Sequence, residues 1–471
     1  MSKSVFSEGD EGVRLIVRDR RKKGVRPPMS GRSPVHVVYG GADRFSAETP
    51  SKLGRIALAT LREHASNFVE FADAMHIPGT EGLPRLPDVV AKIESRIASD
   101  PQKVRKLQPD AWVAWTVYEK TLRKLESEPV EDFRIDFEDG YGFRTDEEED
   151  ADAVRTANET AAAMKSGSLP PFFGIRVRSF APASYGRAKR TLEKFLGTLT
   201  KTSEGPIPEN FVVTLPKVTD KKQVREMCSV LKKIEKKHGI SSGSIGLEIM
   251  IETAEAIFDR KGNIALPGIV SAAKGRCSSV HFGAYDYTSA LGISSRHQAL
   301  DHPACDFARQ IMLASLAPAG IRLVDSVTTE LPVPLHRGNG LTEGQQAENR
   351  RAIHAGWRTH FQNVSKSMAN GFYRSWDLHP NQLPARYAAV YFFYLDGFDT
   401  QAKRLRRSLD MSAKASLTGN VFDDAASVRG IVTFMQNAFD CGAVNEDEIR
   451  IATGLSSDEL KALDLDSFVG G

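Results

Sequence analysis

The chain has 471 residues, 41% hydrophobic and 26% charged, enough apolar material for a large core. A formal net charge of +3, from 63 basic and 60 acidic residues, gives no global field for nucleic acid or anionic lipid, so no nucleic-acid partner is expected. No apolar run approaches the roughly 20 residues of a membrane span, and the opening MSKSVFSEGDEG lacks the apolar centre of a secretory signal, so the expectation is a cytoplasmic protein without a membrane partner. Cys228, Cys277, Cys305 and Cys441 lie far apart with no CxxC, which suits reduced, buried thiols better than a zinc ribbon or redox motif.

The chain opens with an arm over residues 1–33 that carries the basic run Arg14 to Pro28. Glu8, Asp10, Glu11 and Asp19 speak against a transit peptide, and no aromatic residues interleave for base stacking, so the arm reads as solvated. Apolar runs then alternate with helical stretches, as in a parallel sheet. Strands are expected at Pro34 to Tyr39, Asp132 to Phe137, Phe173 to Arg178, Phe211 to Pro216, Ile245 to Ile251, Ser279 to Gly283, Ile321 to Asp325 and Tyr373 to Leu378. Eight strands close a (β/α)8 barrel, here over residues 34–395. A helix is expected from Asp220 to His238, where Val224, Met227, Leu231 and Ile234 share one face. Two connections exceed the usual few residues: Gly40 to Glu131, holding a helical insertion at about 66–128, and Ser326 to Phe372. Residues 396–471 read as a helical appendage, with an apolar stripe of Val428, Ile431, Val432, Met435 and Phe439 and a capping box at Ser456 and Glu459.

The strand ends carry the chemistry. In DFRIDFED, alternation puts Phe133, Ile135 and Phe137 on the helix-facing side and Arg134, Asp136 and Glu138 in the barrel interior. Unpaired charges there would cost several kcal/mol. In GIRVRS, Arg176 and Arg178 are expected to face the same interior and pair with those carboxylates, either as a plug or as part of a site. Glu248 and Glu252 share a face of the fifth strand but stand about 13 Å apart, too far to chelate one ion. Glu252 ends its strand, and Asp286 follows the sixth strand just after Gly283, which permits close backbone approach. Two hard carboxylates on adjacent strand tips, with no His or Cys nearby in sequence, fit Mg2+ or Mn2+ better than Zn2+. Lys217, after VVTLP, either neutralises a substrate carboxylate or pairs with an acidic neighbour. His281 reads as a core residue, and His379 before Pro380 as a loop-locking hydrogen-bonder.

The ordered series FRIDFEDGYG, GIRVRS, VVTLPKV, EIMIETAEAI, VHFGAYDY and GIRLVDSV resembles the citrate lyase β-subunit-like branch of the HpcH/HpaI aldolases, within the pyruvate/phosphoenolpyruvate barrels, over roughly Val35 to Gln382. The resemblance implies a metal held by Glu252 and Asp286, and a substrate oxo-acid or enolate held by Arg176. Further substrate contacts are expected from Arg178, nearer the strand end, and from Lys217, Gly283 and Ala284. Glu138 would orient the arginine or a metal-bound water, and Asp139 would face the reacting carbon. Where class II pyruvate aldolases have a Glu-His pair, this chain has Glu138-Asp139, so a histidine base is not expected. The implied activity is metal-dependent carbon-carbon cleavage through an enolate of a 2-oxo acid or an acyl-thioester. Phosphoryl transfer involving phosphoenolpyruvate is the alternative, although nothing looks like a P-loop and the Gly-rich HRGNG is a weak loop signal. A barrel without chemistry is a third reading. The resemblance also implies a homo-oligomer, with the C-terminal appendage near a site.

Overall fold

The structure, a computed structural model, describes residues 32–413 and 425–463. Nearly all of the expected N-terminal arm therefore lies outside the described residues. Eight parallel strands close a barrel in chain order: β1 (His36–Gly41), β2 (Asp132–Asp136), β3 (Phe172–Arg176), β4 (Phe211–Leu215), β5 (Gly246–Ile251), β6 (Cys277–Phe282), β7 (Arg322–Val327) and β8 (Ser375–Asp377). β8 pairs back onto β1. The register sets Asp136 opposite Arg176 and Thr214 opposite Glu248.

Five helices fill the first long connection: α1 (Thr49–His64), α2 (Phe68–Met75), α3 (Pro87–Ser99), α4 (Pro101–Leu107) and α5 (Pro109–Ser127). The last three each open on proline, where the missing N–H has no intrahelical partner to lose. The strands that follow alternate with α6 (Asp146–Ser166), α7 (Tyr185–Thr202), α8 (Lys221–His238), α9 (Ala254–Ile257), α10 (Leu266–Ser271), α11 (Ala284–Ala290), α12 (Pro303–Leu316) and α13 (Glu343–Ala369). Local chemistry sets several of these boundaries. A capping box of Asp220 and Gln223 starts α8 and a left-handed Gly239 ends it, which fixes the helix expected over Asp220 to His238.

Glu131 ties the start of the barrel together. Its carboxylate accepts the Val35 N–H at 2.8 Å and pairs with Arg32 and Lys124, both at 2.6 Å. Burial alone would raise this acid, but Lys124 and Arg32 bring it down to about 2.

The lower interior holds a closed ion network. Arg134 donates to both oxygens of Glu248 at 2.8 Å and also bonds Asp132. Thr214 at 2.8 Å and Ser279 at 2.6 Å complete the shell of Glu248. Burial would lift Glu248, yet Arg134 and then His281 hold it well below the usual carboxylate range. His281 is in the core as expected, and its Nδ1 meets the Tyr39 hydroxyl at 3.1 Å. Above this network Tyr39, Met250, Val324, Val327 and Trp376 pack into an apolar layer.

The chain divides into two compact units inside α14 (Leu383–Ala413), one ending at Phe393 and the other beginning at Tyr394. The second unit continues with α15 (Ala425–Asp440), α16 (Glu446–Thr453) and α17 (Ser457–Ala462). Val428, Ile431, Val432 and Met435 are buried, and the Lys461 ammonium lies 5.4 Å over the Phe439 ring. The Ser456 and Glu459 capping box forms at the start of α17. Among the described residues no helix is long and apolar enough to cross a membrane.

Candidate functional site

The site is built where β2 to β6 end. Asp136, the last residue of β2, is fully buried and accepts Arg176 Nε at 2.7 Å and Nη2 at 2.5 Å. The same carboxylate accepts the N–H of Glu138 at 2.9 Å and of Gly140 at 2.7 Å, so it also shapes the loop that presents Glu138 and Asp139. A Cβ on Gly140 would stand 2.5 Å from the Asp136 oxygen, which is why the turn needs glycine. The Arg176 guanidinium rests 4.9 Å over the Tyr39 ring and 6.0 Å from that of Trp376. Its remaining nitrogen, Nη1, lies 3.3 Å from Glu138 and 3.7 Å from the Met250 sulfur.

Lys217 follows β4 in a left-handed conformation with φ of 51°, which is strained for a residue with a Cβ. It is the residue that joins the two walls of the site. Its N–H donates to Glu252 at 2.7 Å, while its ammonium meets Glu138 at 2.6 Å, Asp139 at 2.9 Å and Asp286 at 3.8 Å. Of the two readings of Lys217 from sequence, pairing with acidic neighbours is the one observed. Although burial opposes it, Glu138 and Asp139 hold this ammonium charged far above its usual range.

Glu252 directly follows β5 and is buried, and that N–H is its one hydrogen bond among the described residues; no cationic side chain pairs with it. Burial first, and then the charges of Asp286 and Glu138, push it up to about 8 against the opposing pull of Arg176. Gly283 makes room for it, because a Cβ there would meet the Glu252 side chain at 2.4 Å. Asp286 sits in the first turn of α11 and is half exposed; burial is again the first cause of its raised carboxyl. The Glu138-Asp139 pair splits. Burial lifts Glu138, while for Asp139, 55% exposed, Arg176 and Lys217 overcome burial and keep it below the usual range.

One expected contact is placed elsewhere. β3 ends at Arg176, so the alternation that would turn Arg178 inward stops two residues short; Arg178 instead donates to Glu149 of α6 at 2.9 Å. The Ala284 N–H is taken by the Ser326 hydroxyl at 3.0 Å. Glu138, expected to orient Arg176 or a metal-bound water, lies 3.3 Å from Arg176 Nη1, while Asp136 holds Nε and Nη2. The signal for Asp136 was its place on the inward face of β2, but only the register puts it beside Arg176. His379 acts as expected, its Nδ1 accepting the Asn381 N–H at 3.2 Å. Among the described residues no group of three or more His, Cys, Asp or Glu side chains forms a metal cage.

These features define a class: a parallel (β/α)8 barrel with five carboxyl groups, Asp136, Glu138, Asp139, Glu252 and Asp286, gathered around one arginine and one lysine at its strand ends. The chain belongs to the family described as Domain of unknown function (DUF6986), which matches residues 21–467. Comparison with curated proteins gives no match. Among solved structures, a citrate lyase from Burkholderia xenovorans is similar at a TM-score of 0.50 and 18% identity, over 72% of this chain and 92% of that one. A Haloferax volcanii malate synthase in a pyruvate and acetyl-CoA ternary complex gives 0.40 and 14% identity, over 71% and 89%. A citrate lyase beta subunit from M. tuberculosis, complexed with oxaloacetate and magnesium, gives 0.34 and 16% identity, over 58% and 93%. At such identities the first likeness speaks to the barrel fold.

Proposed function

We propose that the protein is a metal-dependent carbon-carbon lyase or aldolase acting through the enolate of a 2-oxo acid or acyl-thioester, with Glu252 and Asp286 as ligands to Mg2+ or Mn2+. The observation that carries this reading is Glu252. A buried carboxyl pushed up to about 8, with no cationic side chain paired to it and a neighbouring carboxylate raising it further, becomes a carboxylate at neutral pH when a nearby cation balances it. A hard dication suits two carboxylates, since magnesium takes one or two from protein and completes its octahedron with water and substrate oxygens. When bound, such an ion supplies Lewis-acid stabilisation of the oxyanion that develops as the bond next to the carbonyl breaks.

The chain's own residues have the following parts. Asp136 holds Arg176 by Nε and Nη2, leaving Nη1 directed at the site as a charge-assisted donor to a substrate carboxylate or carbonyl. Asp139, half exposed and charged, would face the reacting carbon, and Glu138 would orient Arg176 or a metal-bound water. Lys217 keeps this pair anchored rather than binding substrate directly. Gly283 shapes the seat of Glu252. The stripe of α15 is buried largely within its own unit, so the oligomer is proposed from the sequence resemblance alone and is checked by mass in solution.

The test is loss of deuterium from methyl-deuterated pyruvate, with and without Mg2+. Exchange that needs Mg2+ and disappears in Arg176→Gln is expected. Exchange by the wild type without divalent ions, or none with pyruvate, oxaloacetate or acyl-thioesters, would remove the reading.

A further inference from the structure

A second feature lies outside the barrel mouth and is independent of the enolate reading. Between the end of α1 and the start of α13 is an open cleft of about 840 Å3, lined by Glu63 and His64, by the loop Gly338 to Leu341, and by Glu343, Arg350 and Arg351 of α13. Its volume is that of a site for a small molecule or cofactor. It lies at the end of the barrel where β7 and β8 finish, since its loop follows β7 and Thr60 of α1 bonds Asn381, just after β8, at 3.0 Å.

Three observations give the cleft a chemical character. The loop contains the HRGNG stretch, and the N–H groups from Gly338 to Leu341 have no acceptor among the described residues. Gly338 and Gly340 have φ of 113° and 81°, and a Cβ on either would meet nothing within 4 Å, so this backbone is open to an incoming group. The loop is nonetheless held in place: Asn349 accepts the His336 N–H at 2.8 Å and donates to the His336 carbonyl at 2.9 Å. Next, Arg350 and Arg351 form no ion pair among the described residues, although most arginines of the barrel do. Finally, the His64 side chain is nine-tenths buried against the cleft and makes no hydrogen bond, its nearest charge being Glu63 at 3.7 Å. The 27-residue helix α13 adds the positive end of its dipole to the same place.

We propose that this cleft is an anion subsite that binds the diphosphate of a small phosphorylated molecule. Free loop N–H groups and two unpaired guanidinium groups are donors without an acceptor, and phosphate oxygens supply acceptors in the geometry arginine matches. Glu63 and Glu343 on the rim accept hydroxyl groups, which suits a diphosphate esterified to a hydroxylated carrier. No Phe, Tyr or Trp lines the cleft, so the broad rings that favour stacking on a base are absent from its lining.

The probe is inorganic pyrophosphate, titrated calorimetrically into the full-length protein in low-salt, divalent-free buffer, with adenosine as the phosphate-free control. Saturable binding of pyrophosphate is expected, weakened at least tenfold in the Arg350→Gln, Arg351→Gln double variant and in Ala347→Glu, which brings a carboxylate into the cleft. Glu252→Gln, in the barrel mouth, should bind as the wild type does. Absence of saturable binding, binding undiminished in both cleft variants, loss of binding in Glu252→Gln, or adenosine binding as tightly as pyrophosphate would each overturn the assignment.

Discussion

Glu248, within β5, and Glu252, directly after it, lie four residues apart and are both buried, yet they sit at opposite ends of the carboxylate range. Glu248 is held well below it, ringed by Arg134, Thr214 and Ser279, while Glu252 is pushed up to about 8 with a single backbone donor. Burial acts in the same direction on both; the difference is whether the protein itself supplies the countercharge. The lower layer is electrostatically finished and serves stability. The upper one leaves Glu252 without a countercharge from the protein, and on the proposed reading a divalent cation supplies it.

The comparison breaks most severely at Arg134. Arg134→Ala removes the one cation that hydrogen-bonds both Glu248 and Asp132, leaving His281 at 3.2 Å from Glu248 and the more distant charge of Arg322, and should cost about 3–5 kcal/mol in denaturant unfolding. If the cost were below about 1 kcal/mol, the lower network would not be closed.

The next largest effect is the pH dependence of Glu252. Its carboxyl is raised from the ordinary 4.5 to about 8 on folding, so the folded protein holds a proton that the unfolded chain has lost between those values. Stability should therefore be free of this penalty below about pH 4.5, fall as pH rises toward 8, and stay reduced above. Glu252→Gln should match the wild type near pH 5 and exceed it near pH 9 by on the order of 3 kcal/mol. Parallel stability curves for the two proteins across that window would contradict the shift.

Gly283→Ala should act on the upper site alone. The added methyl displaces the Glu252 side chain at an expected cost of about 1–3 kcal/mol, and should abolish stabilisation by Mg2+ while the fold persists. Retained Mg2+ stabilisation would mean that the seat of Glu252 is not the metal site.

Much of this contrast was legible in the sequence, and the limits have physical causes. All eight strands follow from apolar runs, because each must be buried between helices and barrel interior. Glu252 and Asp286 stood out because carboxylates at strand tips are placed by chain connectivity. What was lost depends on register and strand length. Pairing of Arg176 with a carboxylate of the second strand was expected, but which carboxylate holds it depends on how β2 and β3 slide past one another. Arg178 was misread because β3 stops at Arg176, and a one-residue change of geometry turns a side chain to another partner.

The smallest predicted effect follows from that correction. Arg178→Lys should change stability by less than about 1 kcal/mol and leave turnover intact, since Glu149 keeps Arg187 and Thr191 as partners. Loss of turnover in this variant would return Arg178 to the substrate site.

The central claim, that Glu252 awaits a divalent cation, is tested most directly by the protons released when Mg2+ binds, measured calorimetrically in buffers of different ionisation enthalpy. A carboxyl pushed up to about 8 is mostly protonated at pH 7 and must lose its proton to bind metal. The account predicts release of nearly one proton per Mg2+ at pH 7, falling toward zero at pH 9, with the release absent in Glu252→Gln. Mg2+ binding that releases no proton at pH 7, or the same release from Glu252→Gln, would contradict it.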